Sequence, residues 1–272
     1  MKVLVRSLIW TCIFFIQPFA EAGGLARSKM PIADPVLIQK WVLDSIAEMP
    51  VAGGYSLTPD APKSMNAGFT WKTLPSGDEI LELDSSGTIP SFCTTATYQV
   101  FYKVLQKYWA WGKVVPSRTL LECLKPRLED DGHRIWGRWN ANGPGTAKFA
   151  FDAEIGTNFD DLALALPGDF LKIYWNDKVG KLERGHSVVF LGVETRAGVP
   201  GIKFWSSNTS TKGYGEKWIP QTMAVRMVFT RLDRLENFEN IAGLPEIDAF
   251  LESMLTREST WEELKKVTGI PK

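Results

Sequence analysis

The stretch Gly-His-Ser-Val-Val-Phe-Leu-Gly-Val at residues 185–193 decides the fold of this chain. After His186 and a serine it has four consecutive apolar residues, and it is bounded by glycines. A short run that is apolar on both faces and bounded by turn-forming residues is typical of a buried central strand. We therefore predict a sheet covered on both faces, with His186 at one end of a central strand, facing the start of a helix packed on the sheet.

The stretches on either side of this strand complete the predicted fold. Further strands are indicated by short apolar segments between turn-forming residues, at 168–175, 201–208 and 223–232. Helices are indicated by helical spacing of apolar residues, at 34–49, from Pro90 to Tyr108 and over the tail 245–272. This order of helix, antiparallel strands and helical tail predicts an α+β fold.

The first 22 residues have the order of a secretory signal peptide: Lys2 and Arg6, an apolar run, then Ala20-Glu21-Ala22. The run is too short to span a bilayer and no second long apolar segment follows, so we expect a secreted or periplasmic protein without a membrane span after cleavage. The whole chain has 31 basic and 31 acidic residues. It has no long basic run, so nucleic acid is not an expected partner.

The remainder of the chain is divided by its composition. We expect an N-terminal helix with a loop-rich extension at 23–90, a main domain at 91–235 and a helical tail at 236–272. The main domain would contain an insertion at about 113–160. Within it, the Gly-rich and Trp-rich stretch 132–146 predicts irregular structure.

Cys93 is the candidate nucleophile. The helix that starts near Pro90 places Cys93 in its first turn, where unpaired backbone N–H groups and the helix dipole favour the thiolate. A thiolate attacks the carbonyl carbon in cysteine hydrolases, and the nearby N–H groups can bind the oxyanion. The chain has 2 histidines to serve as the base. His133 lies in a polar, turn-prone segment typical of the surface, which leaves His186.

Hairpin geometry selects Asn208 as the third member of the site. If the strands that start at His186 and end at Asn208 pair around a turn at 195–201, opposite residue numbers should sum to about 396. This pairing places His186 opposite Ser210, one diagonal step from Asn208, with Ser206 on the same face. An amide oxygen that accepts the imidazole N–H fixes the tautomer needed for a base. We therefore predict Asn208 as the orienting residue, with Ser206 in reserve.

The cysteine count leaves a second interpretation open. After removal of the signal peptide, Cys93 and Cys123 remain. An even number of cysteines in an exported chain predicts a disulfide. In this interpretation the protein is a non-catalytic exported module with a Cys93–Cys123 disulfide, whose tryptophans bind glycan.

Four short segments follow one another in a specific order along the chain. They are Ser-Phe-Cys-Thr-Thr-Ala-Thr-Tyr at 91–98, Pro-Gly-Asp-Phe-Leu at 167–171, Gly-His-Ser-Val-Val-Phe-Leu-Gly at 185–192 and Trp-Ser-Ser-Asn at 205–208. This ordered set resembles the papain-like cell-wall hydrolases of the NlpC and CHAP type. The resemblance covers roughly residues 91–210.

The resemblance implies a papain-like α+β fold, in which the nucleophile helix packs on an antiparallel sheet. It assigns Cys93 as nucleophile, His186 as base and Asn208 as third member. It also implies an amidase or endopeptidase that acts through an acyl-enzyme, with a cell-wall peptide or glycopeptide as substrate. A transglutaminase-like acyl transferase with the same residue order is a third interpretation.

The substrate-binding residues predicted from the sequence are Trp136, Trp139 and Ser206. The insertion is expected to shape a groove with the two tryptophans at its rim. No cofactor is expected, because the chain has no glycine-rich phosphate or dinucleotide motif. No metal is expected either, because the histidines and cysteines have no ligand-like spacing.

Overall fold

A computed structural model describes residues 30–271, and the predicted signal peptide at 1–22 lies outside them. The α-helices of the described part are α1 (Pro35–Ala47), α2 (Asp60–Ala67), α3 (Cys93–Gly112), α4 (Arg118–Leu124), α5 (Arg134–Asn140), α6 (Gly145–Asp152), α7 (Ala249–Ser253) and α8 (Trp261–Thr268). Its strands are β1 (Ala52–Gly53), β2 (Phe69–Thr73), β3 (Glu79–Leu83), β4 (Gly156–Phe159), β5 (Phe170–Tyr174), β6 (Val179–Gly180), β7 (His186–Arg196), β8 (Val199–Asn208), β9 (Gly213–Pro220), β10 (Arg226–Leu232) and β11 (Glu258–Ser259).

The largest sheet has seven strands in the order β1-β9-β8-β7-β5-β10-β4. Every neighbouring pair in it runs antiparallel. Two-stranded sheets form from β2 with β3 and from β6 with β11. The antiparallel sheet and its accompanying helices confirm the predicted α+β class.

Strand β7 lies in the middle of this sheet and is buried on both faces, as its sequence predicts. One face carries Val188 and Phe190, which belong to an apolar cluster with residues of five other strands. The opposite face carries Ser187, whose hydroxyl lies 3.1 Å from the hydroxyl of Thr97 in α3. The sheet therefore separates an apolar core from the layer that contains α3.

Helix α3 is the central helix of the fold. It begins directly at Cys93, after Phe92 in an extended conformation, and it ends before Lys113, which adopts a left-handed conformation. The Thr95 hydroxyl accepts a hydrogen bond from the Phe92 N–H at 2.9 Å, which satisfies one backbone donor at this end. Residues on all sides of the helix are buried from Thr94 to Leu105, apart from Lys103. The start of α3 is consequently held from several directions.

The N-terminal extension packs against the centre of the fold. Helix α1 packs on α3, and β1 pairs with the edge strand β9. Residues from Pro31 onward belong to one compact unit, which also includes the tail. Within residues 30–271, no helix is both long enough and apolar enough to cross a membrane.

The prediction of irregular structure at 132–146 is wrong. Helix α5 and the start of α6 occupy this stretch. Its glycines allow close backbone approach: a Cβ on Gly137 would collide with the Asp130 carbonyl, and one on Gly145 would collide with the Arg138 carbonyl. Glycine composition indicated a loop, whereas tertiary packing selects short helices.

The helical tail predicted over 245–272 is interrupted by a strand. Helices α7 and α8 are separated by β11, which pairs with β6. Each helix has its own cap, because the Asp248 side chain accepts the Leu251 N–H and the Thr260 side chain accepts the Glu263 N–H. Two separate N-caps break the apolar periodicity that a single helix would need.

The hairpin of β7 and β8 has a shorter turn and a different pairing register from those predicted. Its turn is short, because Arg196 pairs with Val199 across Ala197 and Gly198, and both turn residues have positive φ. A bulge between Phe190 and Gly192 then shifts the pairing by one residue, to Phe190 with Phe204 and Val189 with Trp205. Extended to the strand ends, this register places His186 opposite Asn208, and not opposite Ser210.

Candidate active site

Cys93 lies at the N-terminus of α3 and in the wall of a cleft of about 450 Å³. The same cleft contains His186, at the start of β7. Cys93 is a free thiol and is partly exposed. Its backbone N–H belongs to the first helical turn, whose donors have no carbonyl partner in a preceding turn. The predicted nucleophile and base therefore share one cavity.

Asn208 orients the imidazole of His186. The Nε2 atom of His186 lies 2.8 Å from Oδ1 of Asn208. The amide nitrogen of Asn208 donates to the carbonyls of Ser206 at 3.3 Å and Gly215 at 3.4 Å, so its oxygen is the atom turned toward the ring. Because Nε2 donates to this oxygen, Nδ1 is the nitrogen left to exchange a proton with Cys93.

The thiol of Cys93 has a low pKa. Burial of the sulfur opposes ionisation and is the largest single influence, but the interactions that favour the thiolate outweigh it. They are a hydrogen bond and charge from His186, the charge of Lys172 and the backbone N–H of Ser187. Their combined effect lowers the pKa of Cys93 from an ordinary 9.0 to about 7. A large fraction of Cys93 is therefore thiolate near neutral pH.

This pKa predicts how the two cysteines react with iodoacetamide. Because only the thiolate reacts, alkylation of Cys93 should fall as pH decreases and be half-maximal at about pH 7. Burial raises the pKa of Cys123, so Cys123 should stay largely unmodified over the same range. Peptide mapping by mass spectrometry after timed alkylation measures both sites in one sample. A half-maximal pH near 9 for Cys93 would contradict the assignment.

Replacement of Asn208 tests the orienting contact. We expect Asn208→Ala to lower kcat by about 10–100-fold with little change in KM, because the imidazole loses the acceptor that fixes its orientation. Asn208→Asp should retain more activity, since a carboxylate oxygen also accepts from Nε2. The matched control is Ser210→Ala, at the position that the sequence register placed opposite His186. Steady-state kinetics in which Ser210→Ala is the more damaging variant would overturn the observed register.

The cleft extends past His186 on both sides. A second cavity of about 390 Å³ shares Tyr55, Trp175 and His186 with the first. Trp175 is 37% exposed and its ring stacks on that of His186, with centroids 6.1 Å apart. Tyr55 is brought here by the extension, because it bridges to Ser91, two residues before Cys93. The two aromatic residues therefore line both cavities, on either side of His186.

Tyr55 has the properties of a neutral hydrogen-bond donor. Burial and, to a lesser degree, the negative charge of the Cys93 thiolate raise the pKa of Tyr55 to about 12. Its hydroxyl consequently stays protonated over the range in which Cys93 ionises. Tyr55 and Trp175 were not predicted from the sequence. Trp175 directly ends a predicted strand, which is a position from which a side chain can enter a cleft, whereas Tyr55 has no comparable local pattern.

The prediction that Trp136 and Trp139 bind substrate is wrong. Trp136 is 2% exposed and Trp139 is 0% exposed, and both are part of the interior. The Trp139 ring stacks on Phe101 with centroids 4.8 Å apart, and its Nε1 donates to Thr97 at 3.1 Å. Helix α5 turns the two tryptophans toward α3 because this burial removes large apolar surfaces from water.

Ser206 is likewise unavailable to a substrate. It is fully buried, and its hydroxyl donates to the Ser187 carbonyl at 2.7 Å. This contact is within the β7–β8 pair and does not involve the His186 ring. The predictions of Ser206 as a substrate contact and as the reserve orienting residue are therefore wrong. Ser206 contributes indirectly, since its carbonyl accepts from the amide of Asn208.

The contrast between Trp139 and Trp175 gives a stability prediction. Trp139→Ala should lower the free energy of unfolding by about 3–5 kcal/mol, because it leaves a cavity in the core and removes the hydrogen bond from the indole N–H to Thr97. Trp175→Ala, at a partly exposed position, should cost about 1 kcal/mol or less. Urea denaturation followed by circular dichroism measures both. Equal losses for the two variants would contradict the core assignment of Trp139.

The second cysteine lies elsewhere. Cys123 borders a different cavity, of about 520 Å³, whose lining includes Arg118 and Arg134 but no histidine. Both cysteines are free thiols, so the structure does not contain the disulfide of the second interpretation. The larger cavity lacks a base for Cys123, and the raised pKa of its thiol disfavours the reactive form.

Comparisons with known proteins identify no relative: no family model, no curated protein and no solved structure matches this chain. Among residues 30–271, no cluster of three or more His, Cys, Asp and Glu side chains is arranged to hold a metal ion. The interpretation of the site consequently depends on its own geometry.

Proposed function

We propose that this protein is an exported cysteine hydrolase with a papain-like fold, which cleaves amide bonds in peptidoglycan peptides. The observation that carries the proposal is one connected arrangement. A thiol of low pKa at a helix N-terminus faces a histidine whose other ring nitrogen is held by Asn208 at 2.8 Å. Nucleophile, base and orienting group in this relation are the requirements for acyl transfer through a thioester.

Each step of the reaction has a residue to perform it. The Cys93 thiolate attacks the amide carbonyl, and the proposed oxyanion donors are the Cys93 backbone N–H and the hydroxyl of Tyr55, which lines the same cleft. His186 gives its Nδ1 proton to the leaving amine as the C–N bond breaks, which leaves a thioester on Cys93. Water then attacks the thioester while His186 accepts its proton, and the acid product leaves with Cys93 regenerated.

The proposed substrate class is supported by the ordered segments around the three residues and by the predicted signal peptide. The two cavities on either side of His186 suit an extended chain that crosses the nucleophile. An exported hydrolase would meet peptidoglycan in its own compartment. Thioester chemistry needs a carbonyl bonded to a leaving group, and the resemblance to cell-wall hydrolases supports an amide, with an amine as the leaving group.

Digestion of purified peptidoglycan tests this function. Residues 23–272 should release soluble fragments, and mass spectrometry should find equal numbers of new amine and new carboxyl ends. Addition of a primary amine at high concentration distinguishes hydrolysis from acyl transfer, because a transferase would attach the amine to the new acyl end. We expect Cys123→Ala to release soluble peptidoglycan fragments and Cys93→Ala to release none. Intact peptidoglycan after treatment with the native protein would refute the proposed substrate.

A further inference from the structure

A buried lysine lies in the wall of the cleft beside Cys93. Lys172 of β5 is only 4% exposed, yet it lines the same cleft as the nucleophile. Its ammonium donates to the Ala141 carbonyl at 3.3 Å, which is its one hydrogen bond within residues 30–271. A buried ammonium is costly unless it is paired, so two of its N–H groups remain to be satisfied.

The backbone leaves room for this lysine. Gly185, the residue before His186, has φ +75°, and a Cβ at this position would lie 2.7 Å from Cε of Lys172. The lysine stem therefore passes directly beside the backbone that leads into His186. Any residue with a side chain at 185 would displace the stem or strain the backbone. The chain accommodates a charged side chain at a point where an apolar one would be less costly.

The carboxylate of Glu183 is already occupied by other donors. Glu183 accepts hydrogen bonds from the backbone N–H of Trp175 at 3.1 Å and of Gly185 at 3.0 Å, and from the Asn176 side chain at 3.0 Å. These hydrogen bonds of Glu183 stabilise the loop between Trp175 and His186. Burial lowers the pKa of Lys172, and the charge of Glu183 opposes this effect only in part, since the oxygens of Glu183 are directed to these other donors.

The carboxylate of Asp131 is occupied as well. Its oxygens accept from the Asn140 side chain at 3.2 Å and from the Asn142 backbone N–H at 2.9 Å. Arg184 is exposed on the same cleft wall, and in the part of the chain that the structure describes it forms no ion pair. The wall thus presents two cations whose nearby carboxylates already have other partners.

We propose that Lys172 and Arg184 form a carboxylate-binding subsite in the cleft beside Cys93, which selects amide substrates that carry a carboxylate near the reacting carbonyl. This specificity rests on the proposed hydrolase function and extends it. A carboxylate in the cleft would accept charge-assisted hydrogen bonds from the free N–H groups of Lys172 and from the guanidinium N–H groups of Arg184. The carboxylate could belong to an acidic side chain or to a main-chain terminus, and both present the same group.

Two alkylating agents that differ in charge test the subsite without a hydrolysis assay. Iodoacetate carries a carboxylate and iodoacetamide does not, while both react with the Cys93 thiolate. The ratio of their rates cancels changes in the pKa of Cys93. We expect this ratio to fall about tenfold in Lys172→Met and by a smaller factor in Arg184→Gln. Methionine has a similar shape to the lysine stem, and Arg184 is exposed, so the second variant tests the subsite even if the first fails to fold.

Lys217→Met is the matched control, because Lys217 lines the cavity on the other side of His186. Its ratio of iodoacetate to iodoacetamide rates should equal that of the native protein. If Lys172→Met, Arg184→Gln and Lys217→Met all lower this ratio equally, the preference for iodoacetate comes from the overall positive charge around the cleft, and the subsite is refuted. Protection against iodoacetamide by N-acetylglycine or by N-acetylaspartic α-amide, at fixed ionic strength, then shows whether a main-chain or a side-chain carboxylate fits. Failure of both to protect Cys93 would overturn the subsite. Unreactive Cys93 in the native protein would instead overturn the hydrolase function.

Discussion

Cys93→Ala is expected to eliminate amide hydrolysis, with a loss of at least ~10⁴-fold in kcat/KM. The reason is chemical, because no other described nucleophile in the cleft is paired with the His186–Asn208 unit. Cys93 is partly exposed, and alanine retains its Cβ, so the free energy of unfolding should change by about 1 kcal/mol or less. Release of fragments from peptidoglycan and urea denaturation of the same preparation measure the two quantities.

Cys123→Ala is the matched control for this prediction. It removes the other thiol of the described part, which lines a separate cavity without a histidine. Its hydrolytic activity should equal that of the native protein. If Cys93→Ala remains active, the nucleophile is misassigned, whichever fragments are released.

His186→Gln is expected to produce the second largest effect, a loss of about 10²–10⁴-fold at pH 7. Glutamine can still occupy the space of the ring, but it cannot take or return a proton. It also removes the hydrogen bond and charge that lower the pKa of Cys93, so the pKa of the thiol should rise. Thiolate would then form only at higher pH, and the residual activity should keep increasing with pH above 7, where the native profile levels off.

His133→Gln supplies the control, because His133 does not line the cleft and contacts Glu252 at 3.3 Å. Its pH–rate profile and its iodoacetamide profile should both coincide with those of the native protein. If the pKa of Cys93 in His186→Gln remains at about 7, His186 is not the group that lowers the pKa of this thiol.

The sequence predicts where Cys93 and His186 lie in the fold because their positions follow from local patterns. Helix α3 begins at Cys93, as the Pro-Ser start and the apolar spacing indicate. His186 follows from a buried strand and from the small number of histidines. In both cases the apolar pattern of a single helix or strand shows where that element begins, and the residue of interest lies at this beginning.

Asn208 was predicted correctly as the partner of His186, but from an inaccurate register. The sequence predicted that opposite numbers would sum to about 396, a value that follows from hairpin geometry alone. In the structure, the residue numbers of paired residues sum to 395 beside the turn, and to 394 on the other side of the bulge between Phe190 and Gly192. A two-residue turn and a bulge depend on backbone conformations that residue composition specifies only weakly.

The cleft walls could not be predicted from local patterns. Tyr55 reaches the site through pairing of a distant segment. The Gly215 carbonyl that accepts from the amide of Asn208 lies on β9, a strand that was not among those predicted from the sequence. Trp136 and Trp139 were predicted at the rim of a groove shaped by the insertion, whereas burial against α3 determines their position. Lys172 was visible as a single charge inside an apolar strand, which is a pattern that marks either an edge or a buried cation.

The most direct test of the account is to trap the acyl-enzyme on Cys93. The protein is mixed with peptidoglycan, quenched in acid during turnover, digested and mapped by mass spectrometry. We predict that the peptide containing Cys93 carries the mass of an acyl fragment, that hydroxylamine removes this mass as expected for a thioester, and that His186→Gln accumulates less of it. Release of fragments without any adduct, at an equal rate in Cys93→Ala, would contradict the central claim that Cys93 is the nucleophile.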